Sequence, residues 1–168
     1  MSDFRFRDAV ASDGPAIRAV VFAVLAEYGL AADPATTDSD LQDVAASYTT
    51  RGGIFRVLLS PADEIVGCGG LYPIDREEAE IRKMYFLKVA RGHGLGRWLL
   101  QDLVEAARVL GYKRVRLETA SVLKEAIALY RSFGFVAMAG RHLSNRCDQA
   151  YVLDLTVGSG GRPTVGEV

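Results

Sequence analysis

Apolar residues recur at helical spacing in three long segments of the chain. The first runs from about Pro15 to about Glu27 and buries one face, made of Ile17, Val20, Val21, Val24 and Leu25. The second, "RWLLQDLVEAARVL", repeats leucine and alanine at the same period and stops at Gly111. The third, "LKEAIALYRSF", stops at Gly134. A shorter helix is predicted in "SDLQDVAASY", before the Gly52–Gly53 pair.

Strand-like runs separate these helices. They are "FRFRDAV", "IFRVLLS", "IVGCGGLYPI", "AEIRKMYFLKV", "YKRVRLE", "FVAMAG" and "QAYVLDLTV". The resulting order, β-α-α-β-β-β-α-β-α-β-β, predicts one α/β domain over residues 1–157 with a mixed sheet. Hairpins give antiparallel neighbours, and the crossover through residues 80–118 gives a parallel pair. The Gly-rich residues 158–168 are predicted to form a flexible tail outside the fold.

Composition narrows the class of protein. Lys and Arg number 20 and Asp and Glu 21, so the net charge of -1 indicates neither a nucleic-acid partner nor a membrane surface. The longest apolar run carries Arg18 and Glu27, and the N-terminus has no signal-peptide core. Cys68 and Cys147 lack metal-ligand spacing. We therefore expect a cytoplasmic protein without a metal.

The stretch "RGHGLG" places alternating glycines between a strand and a helix. Free N–H groups at a helix start, with no Cβ atoms in the way, suit a phosphate. A Walker P-loop is excluded because Arg97 follows Gly96 where Lys is required. The dinucleotide pattern fails because Arg97 or Leu99 holds its third glycine position. Glu118, at the end of the next strand, keeps a nucleotide-dependent enzyme as an alternative.

The same stretch reads R-x-x-G-x-G through Arg91, Gly94 and Gly96, and "AIALYRSFGF" follows one strand later as A-x-x-L-Y-x-x-x-G-F. Together, over about residues 64–136, these motifs resemble the acetyl-CoA-binding region of the GNAT N-acyltransferase superfamily. The resemblance implies a single α/β domain whose mixed central sheet has two splayed parallel strands and helices on both faces. It also implies that acetyl-CoA is the cosubstrate.

The resemblance further implies where coenzyme A binds. Backbone N–H groups from Gly92 to Arg97 would hold the pyrophosphate, and the backbone of Met84–Phe86 would pair with the pantetheine arm. Leu123 stands where many relatives have Asn, and Lys124 beside it is expected to reach the phosphates instead. The implied cofactor-binding residues are Met84, Tyr85, Phe86, Arg91, Gly92, His93, Gly94, Leu95, Gly96, Arg97, Thr119, Lys124 and Tyr130.

Three catalytic roles follow from the resemblance. Tyr130 would protonate the leaving thiolate, and the backbone N–H of Phe86 would bind the oxyanion. Glu80 would be the general base, and period-two counting places it on the face of Met84 and Phe86 unless a bulge intervenes. The alternative for Glu80 is a strand-edge carboxylate paired with Arg82 or Lys124.

The acceptor is expected to be a primary amine, whether a small molecule, an amino acid, or a protein lysine or N-terminus. Its site would involve Arg141, Arg146 and Asp148, and Asp33, Asp38 and Asp40 could attract a cation. Direct attack through a ternary complex is expected, although His142 and Cys147 leave a covalent mechanism conceivable. A non-catalytic acyl-CoA sensor is the alternative function, and a homodimer stays open.

Overall fold

The computed structural model describes residues 3–139 and 143–156. The predicted tail, Arg141 and His142 lie outside this part of the chain. The predicted order of elements is confirmed. In chain order, the strands and helices are β1 (Arg5–Asp8), α1 (Gly14–Glu27), α2 (Val44–Ser47), β2 (Ile54–Leu59), β3 (Ile65–Pro73), β4 (Glu78–Phe86), α3 (Leu95–Val109), β5 (Arg114–Thr119), α4 (Lys124–Phe133), β6 (Val136–Met138) and β7 (Gln149–Asp154).

The strands form one 7-stranded mixed sheet in the order β1-β2-β3-β4-β5-β7-β6. The pair β4–β5 is parallel because α3 carries the chain back across the sheet between them. The other neighbours are antiparallel. The α/β class, the mixed sheet and the single parallel pair therefore agree with the prediction.

Helices cover both faces of the sheet, as the apolar periodicity requires. On one face α3 buries Leu99, Leu100 and Leu103, and α4 buries Tyr130, against the central strands. On the other face α1 buries Ile17, Val20, Val21 and Leu25 with Leu41, Tyr48 and Phe55. Each such side chain contributes about 1.5–3 kcal/mol by leaving water. Within the described residues, no helix has the length and apolarity needed to cross a membrane.

The second predicted helix is much shorter than "SDLQDVAASY" suggests. Only Val44–Ser47 is α-helical, with the Asp43 carboxylate accepting the Ala46 N–H at its start. Single turns of tighter helix flank it at Ser39–Leu41 and Thr49–Arg51. Asp40 within the predicted segment and Asp38 just before it form buried ion pairs, which are described below.

The two central parallel strands separate partway along their length. Pairing runs from Glu78↔Arg114 to Ile81↔Leu117 and then stops. Both strands continue, β4 to Phe86 and β5 to Thr119, without a partner on that side. We call the gap beyond Ile81 and Leu117 the split.

A β-bulge in β4 changes which side chains face the split. Cys68 pairs with Tyr85 and Gly70 with Arg82, so Lys83 and Met84 both oppose Gly69. Lys83 takes the left-handed backbone conformation, with φ 56°. The bulge reverses the alternation of side chains along the strand. The expectation that Glu80 shares a face with Met84 and Phe86 is therefore wrong.

Candidate functional site

A cavity of about 550 Å³ opens at the split. One part, the α3 end, is lined by Arg91, Gly92, Gly94, Leu95, Gly96 and Arg97. A second part, the α1 end, is lined by Val24, Tyr28, Leu30, Thr37, Arg146 and Cys147. The exposed edge of β4 lies between the two ends. The fold thus joins the glycine stretch and the residues of the α1 end in one continuous space.

The α3 end is a backbone cradle for an anion. Gly92 and Gly94 have φ values of 81° and 73°, which glycine adopts without the strain that a side chain would add. The first intrahelical hydrogen bond runs from the Trp98 N–H to the Gly94 carbonyl at 3.2 Å. The N–H groups of residues 95–97 therefore have no partner within the helix. The first turn of α3 carries no acidic residue that would compete for these groups.

Arg91 and Arg97 take different roles in this cradle. The Arg91 guanidinium forms two hydrogen bonds with Glu27, at 2.7 and 2.8 Å, and donates through Nε to the Phe86 carbonyl. It therefore ties the glycine stretch to the end of α1. The Arg97 guanidinium donates to the Ser132 hydroxyl at 2.9 Å and is paired with no carboxylate of the described chain. Arg97 is thus a side-chain charge available to a bound phosphate.

The edge of β4 presents its backbone to the split. The Leu87 N–H donates to the Val66 carbonyl at 2.8 Å. Because bonded and non-bonded pairs alternate along antiparallel strands, the neighbouring Gly67↔Phe86 pair points its groups away from each other. The bond from Arg91 Nε to the Phe86 carbonyl agrees with this direction. The Phe86 N–H therefore faces the split, where an extended ligand or an oxyanion can accept it.

Tyr130 lies in the wall of the cavity on α4. Its ring is buried against Phe135, with ring centroids 6.0 Å apart. The Tyr130 hydroxyl forms no hydrogen bond with a described residue and is open to the cavity. Burial, with smaller contributions from Tyr85 and Cys147, raises the pKa of Tyr130 well above its ordinary value. The phenol consequently stays protonated at neutral pH.

Glu80 lines the cavity but is held by two arginines. One carboxylate oxygen accepts from Nε of Arg82, and the other accepts from Nε of Arg116 at 2.8 Å. The Arg82 guanidinium also stacks over the Tyr72 ring, 3.7 Å from its centroid. The pairing with Arg82, foreseen as the alternative, is present. A base role for Glu80 stays a prediction, and its carboxylate would have to accept a proton while bound to both arginines.

A buried ionic cluster stands behind the α1 end. The bulge directs Lys83 inward, where Nζ lies 3.3 Å from Asp38 and 3.1 Å from Asp40. Arg146 binds the Asp38 carboxylate through two N–H groups, at 2.5 and 2.8 Å, and the Tyr48 hydroxyl donates to Asp40. We call Asp38, Asp40, Lys83 and Arg146 the ionic cluster.

The ionic cluster contains Asp38 and Asp40, two of the aspartates that the sequence predicted to attract a cationic substrate. Burial raises the pKa of Asp38, but Arg146, the Asp33 N–H and Lys83 together bring it below its ordinary value. Asp38 is fully buried, so it does not attract a cation from solution. Asp33 binds Thr36 and Thr37 within its own loop. The prediction that these aspartates attract a cationic substrate is therefore wrong for Asp38 and Asp40, because both are already paired with buried cations.

Some of the other predicted site residues line the cavity, and others do not. Met84, Tyr85 and Thr119 line it together with the glycine stretch, and so does Leu123. His93 instead packs its ring against Phe4, and Lys124 is exposed at the start of α4 outside the cavity lining. Asp148 accepts from the Ser121 N–H and hydroxyl rather than lining the cavity. Burial raises the pKa of the Cys147 thiol, which disfavours the thiolate that a covalent mechanism needs.

Comparison with known proteins identifies the family. The model of the acetyltransferase (GNAT) family matches residues 23–135. The chain belongs to the GNAT acetyltransferase family. It is 44% identical over 128 residues to the uncharacterized N-acetyltransferase YjgM of Escherichia coli. The aligned region covers 73% of this chain and 76% of YjgM. The chain is accordingly an acyltransferase.

Solved structures of GNAT proteins share the fold. An acetyltransferase from Staphylococcus aureus superposes with a TM-score of 0.84 at 19% identity, covering 90% of this chain and 99% of the other. The protein yncA from Salmonella typhimurium, solved with acetyl-CoA, gives a TM-score of 0.71 at 24% identity, with 92% and 95% covered. These likenesses confirm the GNAT architecture.

Sequence reasoning missed the role of Lys83 in this GNAT domain. The charged pair Arg82–Lys83 inside an otherwise apolar strand was the available signal, because a strand without a bulge sends neighbouring side chains to opposite faces. Two adjacent charges in a central strand therefore require either a buried partner or a bulge, and the structure has both.

Proposed function

We propose that this GNAT protein transfers an acetyl group from acetyl-CoA to a primary amine by direct attack within a ternary complex. The observation that carries the proposal is the single cavity that runs from the anion cradle at α3, along the unpaired edge of β4, to the α1 end. A single ligand that has both a phosphate group and an extended amide arm can lie along this cavity.

Several features of the chain support acetyl-CoA as the donor. Residues 95–97 offer unbonded N–H groups and Arg97 adds a positive charge, which together fit a pyrophosphate. Met84 and Phe86 border the split, where amide groups of the arm would add like a strand. The solved relative yncA contains acetyl-CoA. Lys124 is exposed, and its predicted phosphate contact requires its side chain to reach around the start of α4.

The chemical roles follow from the same geometry. The Phe86 N–H would stabilise the oxyanion formed when the amine attacks the thioester carbonyl. As the C–S bond breaks, Tyr130 would donate its proton to the thiolate. Leucine and tyrosine side chains at the α1 end would keep water from the reacting carbonyl.

The test is a screen of primary amines with acetyl-CoA. Free thiol release should occur only with an accepted amine, and mass spectrometry should find one added acetyl group on that amine. Acetyl-CoA should also raise the melting temperature of the protein, since a ligand that binds only the folded state stabilises it.

The same screen separates the alternative functions. A sensor would be stabilised by acetyl-CoA yet release no thiol with any amine. Stabilisation by NAD but not by coenzyme A would favour a nucleotide-dependent enzyme and contradict the proposal.

Replacing Gly94 with valine tests the anion cradle. We expect the KM for acetyl-CoA to rise about 10- to 100-fold, because a β-branched residue at a φ of 73° forces the backbone away from its present course. Gly111→Val is the matched control, since Gly111 has a φ of 88° but lies at the far end of α3. Equal KM values for the two variants would count against the cradle as the phosphate site.

A further inference from the structure

Glu118 occupies a distinctive position at the split. It is the β5 residue immediately beyond Leu117, the last residue paired with β4. Its neighbours Leu117 and Thr119 are buried, and strand alternation puts Glu118 on the face of Arg116, which reaches Glu80. Glu118 therefore points to the side of the sheet that carries α1, and it lines the cavity.

The Glu118 carboxylate has no cationic partner in the described part of the chain. The carboxylate accepts one long hydrogen bond, 3.4 Å, from the Ser144 N–H. It is half-buried, so it keeps a path to solvent and to a ligand. By contrast, both oxygens of Glu80 accept from arginines. The only other cavity carboxylate without a described ion pair, Glu125, is exposed on α4 at the rim.

The described cations that line the cavity near the α1 end are each paired with a carboxylate, including Arg82 with Glu80 and Arg91 with Glu27. Lys83 is paired with Asp38 and Asp40, and Arg146 is paired with Asp38 through two hydrogen bonds. Their side chains are 5% and 11% exposed. A carboxylate entering this end would have to displace an existing partner from a buried ion pair, which is costly. The described α1 end thus offers one available negative charge and no available positive charge.

The rest of the α1 end is apolar or neutral. Val24, Tyr28 and Leu30 line it from the last turn of α1 and the residues after it. Such walls suit an aliphatic or aromatic body rather than a second charged group.

We propose that Glu118 receives the ammonium of the acceptor and removes its proton, and that the acceptor is an amine with an apolar body and no carboxylate on the amine-bearing carbon. This inference rests on the proposed acetyltransferase function and deepens it. The proton passes from nitrogen to Glu118, and the freed lone pair forms the C–N bond as the C–S bond breaks. The thiolate takes a proton from Tyr130, the second proton of the nitrogen returns to the Tyr130 phenolate, and Glu118 gives its own proton to water.

Matched amine and amino-acid pairs test the substrate class. The pairs are 2-phenylethylamine with phenylalanine and 3-methylbutylamine with leucine, each differing by one carboxylate. For the wild type we expect kcat/KM to be at least about 100-fold higher for the amine, since the amino acid brings a like charge next to Glu118 and finds no cation. A ratio below tenfold, or a preference for the amino acid, would overturn the proposal.

The variant Glu118→Gln tests the residue. We expect kcat/KM for the amines to fall about 100-fold, as for removal of a general base, and the amine-to-amino-acid ratio to fall below about tenfold. Loss of activity with an unchanged ratio would overturn the role of Glu118 in specificity, and unchanged kcat/KM would overturn its role as base. Glu105→Gln, an exposed change on α3, should leave both quantities as in the wild type.

Thermal shift with acetyl-CoA separates this proposal from the one that it rests on. An equal shift in wild type and Glu118→Gln shows that the donor site is intact in the variant. If acetyl-CoA stabilises the protein but no amine in a broad panel is acetylated, the proposed function fails and this inference fails with it. If amines are acetylated and Glu118→Gln behaves as the wild type, only this inference fails.

Discussion

Replacing Lys83 with methionine is expected to lower the free energy of unfolding by about 3–5 kcal/mol. Methionine preserves the length of the side chain, so the change isolates the ammonium. Asp38 keeps its two hydrogen bonds from Arg146, but Asp40 loses the one described cation within ion-pair distance and retains the Tyr48 hydroxyl. A buried carboxylate without a counter-charge is among the most destabilising defects in a folded protein.

Urea unfolding measures this effect, with the slope of the transition checking that both proteins expose similar surface. Lys88→Met is the control, because the Lys88 side chain is 81% exposed and its ammonium comes no closer than 3.8 Å to Glu27. This substitution should change the free energy of unfolding by no more than about 1 kcal/mol. Adding Asp40→Asn to Lys83→Met should recover part of the loss. A loss below 1 kcal/mol for Lys83→Met would show that the ionic cluster does not hold the bulge in place.

Replacing Tyr130 with phenylalanine is expected to lower kcat by about 100- to 1000-fold. The KM for acetyl-CoA should change little, because the hydroxyl is assigned to the leaving thiolate and not to ground-state binding. The hydroxyl has no hydrogen bond within the described chain, so its removal should leave folding nearly unaffected. Steady-state kinetics with the best amine from the screen, at saturating acetyl-CoA, gives the values.

Tyr112→Phe is the matched control for this substitution. The Tyr112 hydroxyl donates to the Gly52 carbonyl at 3.0 Å, outside the cavity lining, so kcat should stay at the wild-type value. If Tyr130→Phe retained kcat within about threefold of the wild type, another group or water would have to protonate the thiolate, and the assignment of Tyr130 would be withdrawn.

The fold was accessible from sequence because its elements carry strong local signals. The leucines of α3 repeat at helical spacing, the hairpin joining β2 and β3 is marked by "PADE", and glycines end α3 and α4. The second helix was overestimated. "SDLQDVAASY" has suitable residues for a helix, but Asp40 within it and Asp38 just before it form ion pairs with residues distant in sequence, and tertiary contacts outweigh local preference.

The anion cradle was also accessible, because it depends on glycine spacing and on the following helix. The arrangement of charges at the α1 end could not be predicted, because it depends on a bulge in β4 that the composition of the strand does not indicate. Counting by twos along β4 places Glu80 with Met84, whereas the left-handed backbone at Lys83 reverses the later residues. Whether Glu80 or Glu118 has a carboxylate available to a substrate depends on which arginines reach each of them, and this is a property of the assembled sheet.

Among the described residues, the short run from Glu78 to Ile81 is the only strand pairing between the two halves of the sheet, β1–β4 and β5–β7–β6. A ligand bound along β4 in the split would extend that connection, so its binding energy would also oppose local opening of the sheet. Amide hydrogen exchange in Arg82–Phe86 should therefore slow together with exchange in β5 when the donor binds. The binding energy that positions the donor along β4 would therefore also stabilise the connection between the two halves of the sheet.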